Sequence, residues 1–254
     1  MILRRELRTA LEAADAADAV TMPRFRAADL AVEVKADSTP VSEADKAAEQ
    51  AIRGVIARDF PGDEILGEEY GEDTRSGRRW IIDPIDATVN YIRGAPVWGT
   101  LIALEADGEV VVGVVSSPAL GSRWWAARGE GAWRNAARIA VSSVDRIEQA
   151  YMSFNALKAC FTAGIGDQVM GLIHRCERVL GFGDFWSFML LAEGAVDLVV
   201  EPIAAVWDLA PLQVIVEEAG GTMTDLAGRR AIDAGNAVAT NGKLHQEVLA
   251  ALGR

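Results

Sequence analysis

Residues 80–91 read WIIDPIDATVNY. The apolar run Trp80-Ile81-Ile82 has the character of a buried strand, and it stops abruptly at two carboxylates, Asp83 and Asp86, flanking Pro84-Ile85. Acids gathered where a buried strand ends repel one another unless a cation sits among them. Just beyond, Ala87-Thr88-Val89-Asn90 is suited to open a short helix with Asp86 at its cap, where free N–H groups would receive a phosphate. Thr88 adds a hydroxyl able to position a water. The stretch therefore predicts a metal on one side and a phosphate on the other.

Working outward, the same arrangement recurs. EILGEE (64–69) reads as a strand ending in Glu68 and Glu69, and Trp207-Asp208-Leu209-Ala210 precedes a helix that stops at Gly220-Gly221. Hard divalent cations such as magnesium take oxygen ligands, commonly carboxylates with a carbonyl and waters. Two such ions about 3.5–4 Å apart form the usual clamp for in-line phosphate displacement. The two histidines, His174 and His245, are too few and too isolated for zinc. Taken singly, Glu68-Glu69 reads as a solvated loop, Asp86 and Asp208 as helix caps, and Asp45 as a helix-start residue. Their combination points to a metal site.

The chain has 254 residues, 50% of them hydrophobic, enough for a substantial core. A net charge of -12 argues against nucleic acid or an anionic membrane as partner. No run approaches membrane-spanning length. Cys160 and Cys176 lack ligand-like spacing, and the charged N-terminus lacks a signal-peptide core, so a reducing cytoplasm is the expected compartment.

Helical spacing predicts a helix from Leu3 to about Val20, and AVEVK (31–35) a short strand. DSTPVSEADKAAEQAIRGVIARDF begins in turn residues and becomes helical, with Ser42 and Asp45 spaced as a capping box, until Pro61-Gly62. Residues 97–119 read as two strands joined at Asp107-Gly108, and SRWWAARGEGAWR as another pair. After about Ile139, strands in AYMSF, RVLGFGD, DLVVE and AVATN alternate with helices around residues 166–176, 185–193, 209–219 and 244–252. The expected organisation is an α+β half (1–139) carrying the metal and phosphate motifs. An α/β half (140–254) carries the last ligand, and the two form one compact unit.

In these residues the chain resembles the inositol monophosphatase family of magnesium-dependent phosphatases, whose three motifs appear in order as GEEYGED, DPIDATVNY and WDLAPLQVIVEEAGG. The resemblance spans nearly the whole chain and implies a layered αβαβα sandwich, usually a homodimer, acting on a small-molecule phosphate ester. It implies that Glu68, Asp83 and the Ile85 carbonyl hold a first magnesium, and Asp83, Asp86 and Asp208 a second, with Glu68 helping a third. Thr88, paired with Asp45, would work with Glu68 to activate water, and the N–H groups of Ala87 and Thr88, beside Asp86, would bind phosphate.

Two positions depart from the family pattern: Ala87 stands where glycine is usual, and Val89 where a polar residue is usual. Alanine keeps the N–H, so phosphate binding survives unless the position demands a positive φ. Glu201 and Asp184, with Asp208, are expected on the substrate's alcohol side, where acids suit a cationic substrate. Asp184 also reads as a cap for a helix from Phe185. GFGDFWS, STPVSEADKAAEQAI and residues 96–132 resemble the histidinol-phosphatase branch, with inositol phosphate as the alternative. A phosphatase with an aspartyl nucleophile is disfavoured by the two-residue gap between Asp83 and Asp86. A non-catalytic metal-binding regulator finds support only in Ala87 and Val89.

Overall fold

The structure is a computed structural model describing residues 4–36, 38–73 and 77–253. Leu3 and Asp37, included in the expected first helix and the following turn, lie outside the described residues. Among those described, the helices are α1 (Arg4–Thr21), α2 (Glu43–Asp59), α3 (Thr88–Arg93), α4 (Leu157–Thr162), α5 (Gly166–Arg175), α6 (Asp184–Ala192), α7 (Val206–Glu218) and α8 (His245–Ala251). Strands β1 (Val32–Val34) and β2 (Pro40–Ser42) pair with each other. A large sheet contains β3 (Glu64–Gly67), β4 (Gly71–Asp73), β5 (Arg78–Asp86), β6 (Gly99–Ala106), β7 (Glu109–Ser117), β8 (Ser122–Ala127), β9 (Ala132–Arg134) and β10 (Ala137–Ile139). Its order is β10-β9-β8-β7-β6-β5-β3-β4. A smaller sheet, ordered β12-β11-β13-β15-β14, contains β11 (Tyr151–Phe154), β12 (Arg178–Leu180), β13 (Leu198–Glu201), β14 (Thr222–Thr224) and β15 (Ala237–Thr240).

The central strand explains the layering. On β5, Trp80 and Ile82 pack with Ala48, Ile52 and Ile56 of α2 and with Ala10, Ala13, Ala14 and Ala17 of α1. Ile81 points the other way, into a cluster with Phe185 and Phe188 of α6 and Leu209, Leu212 and Val216 of α7. A strand covered on both faces needs a continuous apolar run, which is what residues 80–82 supply. Helix α7 is buried from Leu209 through Val216, consistent with its place between the two sheets. Beyond the small sheet, Met152, Leu198 and Val238 meet Cys160, Val169, Leu172 and Val248 of α4, α5 and α8. The layers are thus α1α2, large sheet, α6α7, small sheet, α4α5α8, the expected αβαβα sandwich.

Helix α7 approaches β7 at Gly113. A Cβ there would lie 2.5 Å from Val214 Cγ1 and 2.6 Å from the Pro211 carbonyl, so only glycine lets the helix settle at this depth. Asp107 and Gly108 take φ of 54° and 77°, the left-handed pair that a two-residue hairpin requires. The expected α/β alternation holds for β11, β12 and β13, which pair in parallel, whereas β14 and β15 run antiparallel. Sequence patterning does not reveal β2, β4, β14 or α4; three-residue strands and a six-residue helix are too short to display a period. No helix among the described residues is long and apolar enough to cross a membrane.

Candidate active site

Strands β3 and β5 are parallel neighbours, with Gly67 opposite Ile82, so both end at the same edge. The Glu68 N–H donates to the Ile82 carbonyl at 3.2 Å, placing Glu68 beside Asp83. In a regular strand, residues three apart face opposite sides of the sheet. Here the pairing of β5 with β6 slips between Asp83, opposite Leu101, and Asp86, opposite Gly99. The one extra residue is a bulge, which re-aims Asp86 to the side already faced by Asp83. Pro84, which has no N–H for the ladder, sits within it, and its carbonyl accepts the Thr100 hydroxyl at 2.8 Å.

The third acid arrives from α7. Asp208 occupies the first turn and accepts the Ala205 N–H at 2.7 Å. One oxygen from each of Asp83, Asp86 and Asp208 then lies within 4.8 Å of the others. Asp83 is buried and raised well above the usual carboxylate range, first by burial and then by Glu68, Asp86 and Asp208. Asp86 is likewise pushed well up by burial and by Asp184 and Asp208, against the Phe185 N–H it accepts at 2.9 Å. Asp208 is pushed up to about 6, chiefly by burial. Three buried or part-buried carboxylates this close repel one another, and a cation among them would relieve that repulsion. This set of hard oxygen donors, buried and mutually repelling, fits a divalent cation such as magnesium.

Thr88 stands at the opposite wall. Its hydroxyl lies 2.9 Å from the Ile85 carbonyl and 3.2 Å from Asp45 Oδ1. Asp45 closes the predicted capping box with Ser42 and is wholly buried; burial raises its carboxyl while the Ser42 and Thr88 bonds hold it down. Asp86 is not the cap of α3, contrary to expectation. Ala87 takes that position, at φ 64° and ψ 46° in the left-handed region, because the chain must reverse sharply between bulge and helix. The glycine usual there in the family therefore has a conformational reason.

Glu68, Asp83, Ile85, Asp86, Ala87, Thr88, Asp184 and Asp208 line one cavity of about 480 Å³, with Val89 and Ile203 exposed at its walls. Asp184 is the first residue of α6 rather than its cap, which is Gly183. It has φ 46°, and its Oδ1 accepts Asn155 Nδ2 at 3.0 Å. Glu201, buried at the end of β13, is pushed up to about 8, mainly by burial. The structure thus brings together all the predicted site residues. Glu201 reaches the adjoining recess with Asp86, Asp184 and Asp208.

Two further residues escape sequence patterning. Lys35 Nζ pairs with Glu68 (2.8 Å) and Glu69 (2.5 Å), bringing the β1–β2 segment against the site. Asn155 donates to Asp184 and lines the recess that holds Glu201. Its one available signal is its position immediately after the strand in AYMSF.

Comparison with known proteins agrees with this geometry. Residues 3–254 match the model of the inositol monophosphatase family. The chain is 50% identical to the histidinol-phosphatase of Mycobacterium tuberculosis over 253 residues, 97% of each chain. It is 50% identical to that of Streptomyces coelicolor, covering 96% of this chain and 95% of the relative. Among solved structures, an inositol monophosphatase from Zymomonas mobilis superposes with a TM-score of 0.89 at 32% identity, covering 100% of both chains. That from Thermotoga maritima gives 0.87 at 31%, covering 98% of this chain and 96% of the other. With residues 3–254 matched by the family model and half the residues shared with two relatives over nearly the full length, the chain belongs to the inositol monophosphatase family, and with it to the phosphatases.

Proposed function

We propose that the protein is a magnesium-dependent phosphomonoesterase that hydrolyses histidinol phosphate to histidinol and phosphate. Glu68, Asp83, Asp86, Asp208 and the Ile85 carbonyl would hold two to three ions. The observation that carries the substrate choice is the pair Asp184 and Glu201, which line one recess with Asp86. Two desolvated carboxylates gain most from a cationic partner, and histidinol phosphate carries an ammonium group and an imidazole. The 50% identity to two histidinol-phosphatases supports the same choice.

When bound, magnesium would neutralise phosphate oxygens and ease deprotonation of a water. The chain's own residues supply the rest. The N–H groups of Ala87 and Thr88 hold the phosphate at the left-handed turn. The Thr88 hydroxyl directs its one proton to the Ile85 carbonyl or to Asp45 and keeps lone pairs free to orient the attacking water, and Glu68 takes that water's proton. The family resemblance supports a cytoplasmic homodimer, which light scattering would test for assembly.

The test is phosphate release from histidinol phosphate, inositol 1-phosphate and adenosine 3′,5′-bisphosphate, each with and without magnesium. A strong, magnesium-dependent preference for the first is expected. Preference for inositol phosphate would keep the site chemistry and refute the substrate. Asp184→Ala should raise KM for histidinol phosphate about tenfold or more, the worth of a hydrogen bond to a charged group. Equal losses on all substrates would contradict its assigned role.

A further inference from the structure

The turn carrying Glu68 is gripped from α2 by a residue that lies outside the acid cluster. Glu49 is wholly buried, and its carboxylate accepts the backbone N–H groups of Glu69 (2.7 Å) and Tyr70 (3.2 Å). Arg53, one helical turn on, donates to Glu49 Oε1 at 2.8 Å and to the Gly71 carbonyl at 2.7 Å. A Cβ on Gly67 would lie 2.0 Å from Glu49 Oε1 and 2.3 Å from its carboxyl carbon. The missing side chain is what lets the carboxylate reach the turn. One turn earlier on the same helix, Asp45 holds Thr88 at 3.2 Å. Asp45, Glu49 and Arg53 are spaced four apart and so share one stripe of α2.

A buried charge is a weak source of stability compared with an apolar side chain of similar size, so its presence suggests a role in specifying geometry. We propose that Glu49 is a positioning residue. Acting through the backbone of residues 67–71, it sets Glu68 at a defined separation from Thr88, with α2 as their common strut. The two groups assigned to the attacking water thereby hang from a single rigid element. This inference rests on Glu68 being a metal ligand, as proposed above.

The test is the magnesium dissociation constant of the purified full chain by isothermal titration calorimetry, beside kcat and KM for histidinol phosphate. Residues that orient metal ligands from behind typically account for about 10–100-fold in affinity. Glu49→Gln leaves only one oxygen to serve two N–H donors. It is expected to weaken magnesium binding at least about tenfold and to lower kcat at saturating metal, with little change in KM. Glu68→Gln tests the underlying assignment: if it leaves magnesium affinity unchanged, that assignment fails. If Glu68→Gln weakens binding while Glu49→Gln matches the parent, the positioning role falls. Gly67→Ala retains every side chain but forces the Glu49 carboxylate off the turn, so it should reproduce the loss, and it decides the matter should Glu49→Gln not fold. In a Glu49→Ala background Gly67→Ala should add nothing; a full additional loss there would overturn the coupling.

Discussion

Replacing Ala87 by glycine should stabilise the protein and leave its chemistry nearly unchanged. Ala87 sits at φ 64° and ψ 46°. An L-residue with a Cβ pays about 1–2 kcal/mol for the left-handed conformation, because that atom crowds the following carbonyl oxygen. Glycine escapes this strain but gives the unfolded chain more freedom, which costs about 0.4–1 kcal/mol in the opposite sense. The difference is a gain of about 1 kcal/mol. For a chain of this length that corresponds to a rise in Tm of about 2–4 °C. Urea unfolding of metal-free protein measures it without interference from ligand binding, and an unchanged m-value would show that the surface exposed on unfolding is the same in both proteins. The carbonyl of residue 87 already accepts the N–H groups of Asn90 (2.8 Å) and Tyr91 (3.1 Å), so the loop is held in its glycine-like shape with alanine present. Strain common to ground and transition states does not alter kcat. A tenfold rise in kcat, about 1.4 kcal/mol, would instead mean that the methyl group obstructs the phosphate. Lower stability in the glycine variant would refute the conformational account altogether. Ala87→Val should move oppositely, since a β-branched residue is a poorer occupant of that region.

Other consequences follow from the same geometry. Asp83→Asn removes one of the mutually repelling acids, so the metal-free variant should unfold at higher urea than the parent. Magnesium should then add little stability, and magnesium-dependent turnover should vanish; full activity would sink the assignment. The pH dependence has a definite sign. Asp83, Asp86, Asp208 (about 6) and Glu201 (about 8) all titrate above their unfolded values. Their contribution to metal-free stability is therefore complete below pH about 4 and is lost as pH rises toward 8. Urea midpoints without metal should fall over that window, while magnesium affinity rises as protons leave. A flat profile would show that the acids do not crowd one another. Gly113→Ala places a Cβ 2.5 Å from Val214 Cγ1 and 2.6 Å from the Pro211 carbonyl. Overpacking of this kind costs about 1–3 kcal/mol, and because α7 carries Asp208, magnesium affinity should weaken with it. A change in stability with unaltered affinity would separate the helix's packing from the site.

Local chemistry made much of this protein legible from its residues alone. The run Trp80-Ile81-Ile82 needs two covered faces, Ser42 and Asp45 form their capping box, and Asp107-Gly108 turns a hairpin, because each depends on side chains a few positions apart. The acids of the site were identifiable because three short motifs keep their order along the chain. What they do to one another was not. Asp83 and Asp86 share a side only through a bulge defined by pairing with β6, and Asp208 joins them because Gly113 admits α7 to the sheet. Asn155 and Glu49 carry no motif, since their partners lie 29 and 20 residues away and are brought near only by sheet order and helix packing. Ala87 divides the two levels most clearly. Its departure from glycine is visible in the letters, but the left-handed turn that gives the departure an energetic meaning comes from anchoring a bulged strand to a short helix.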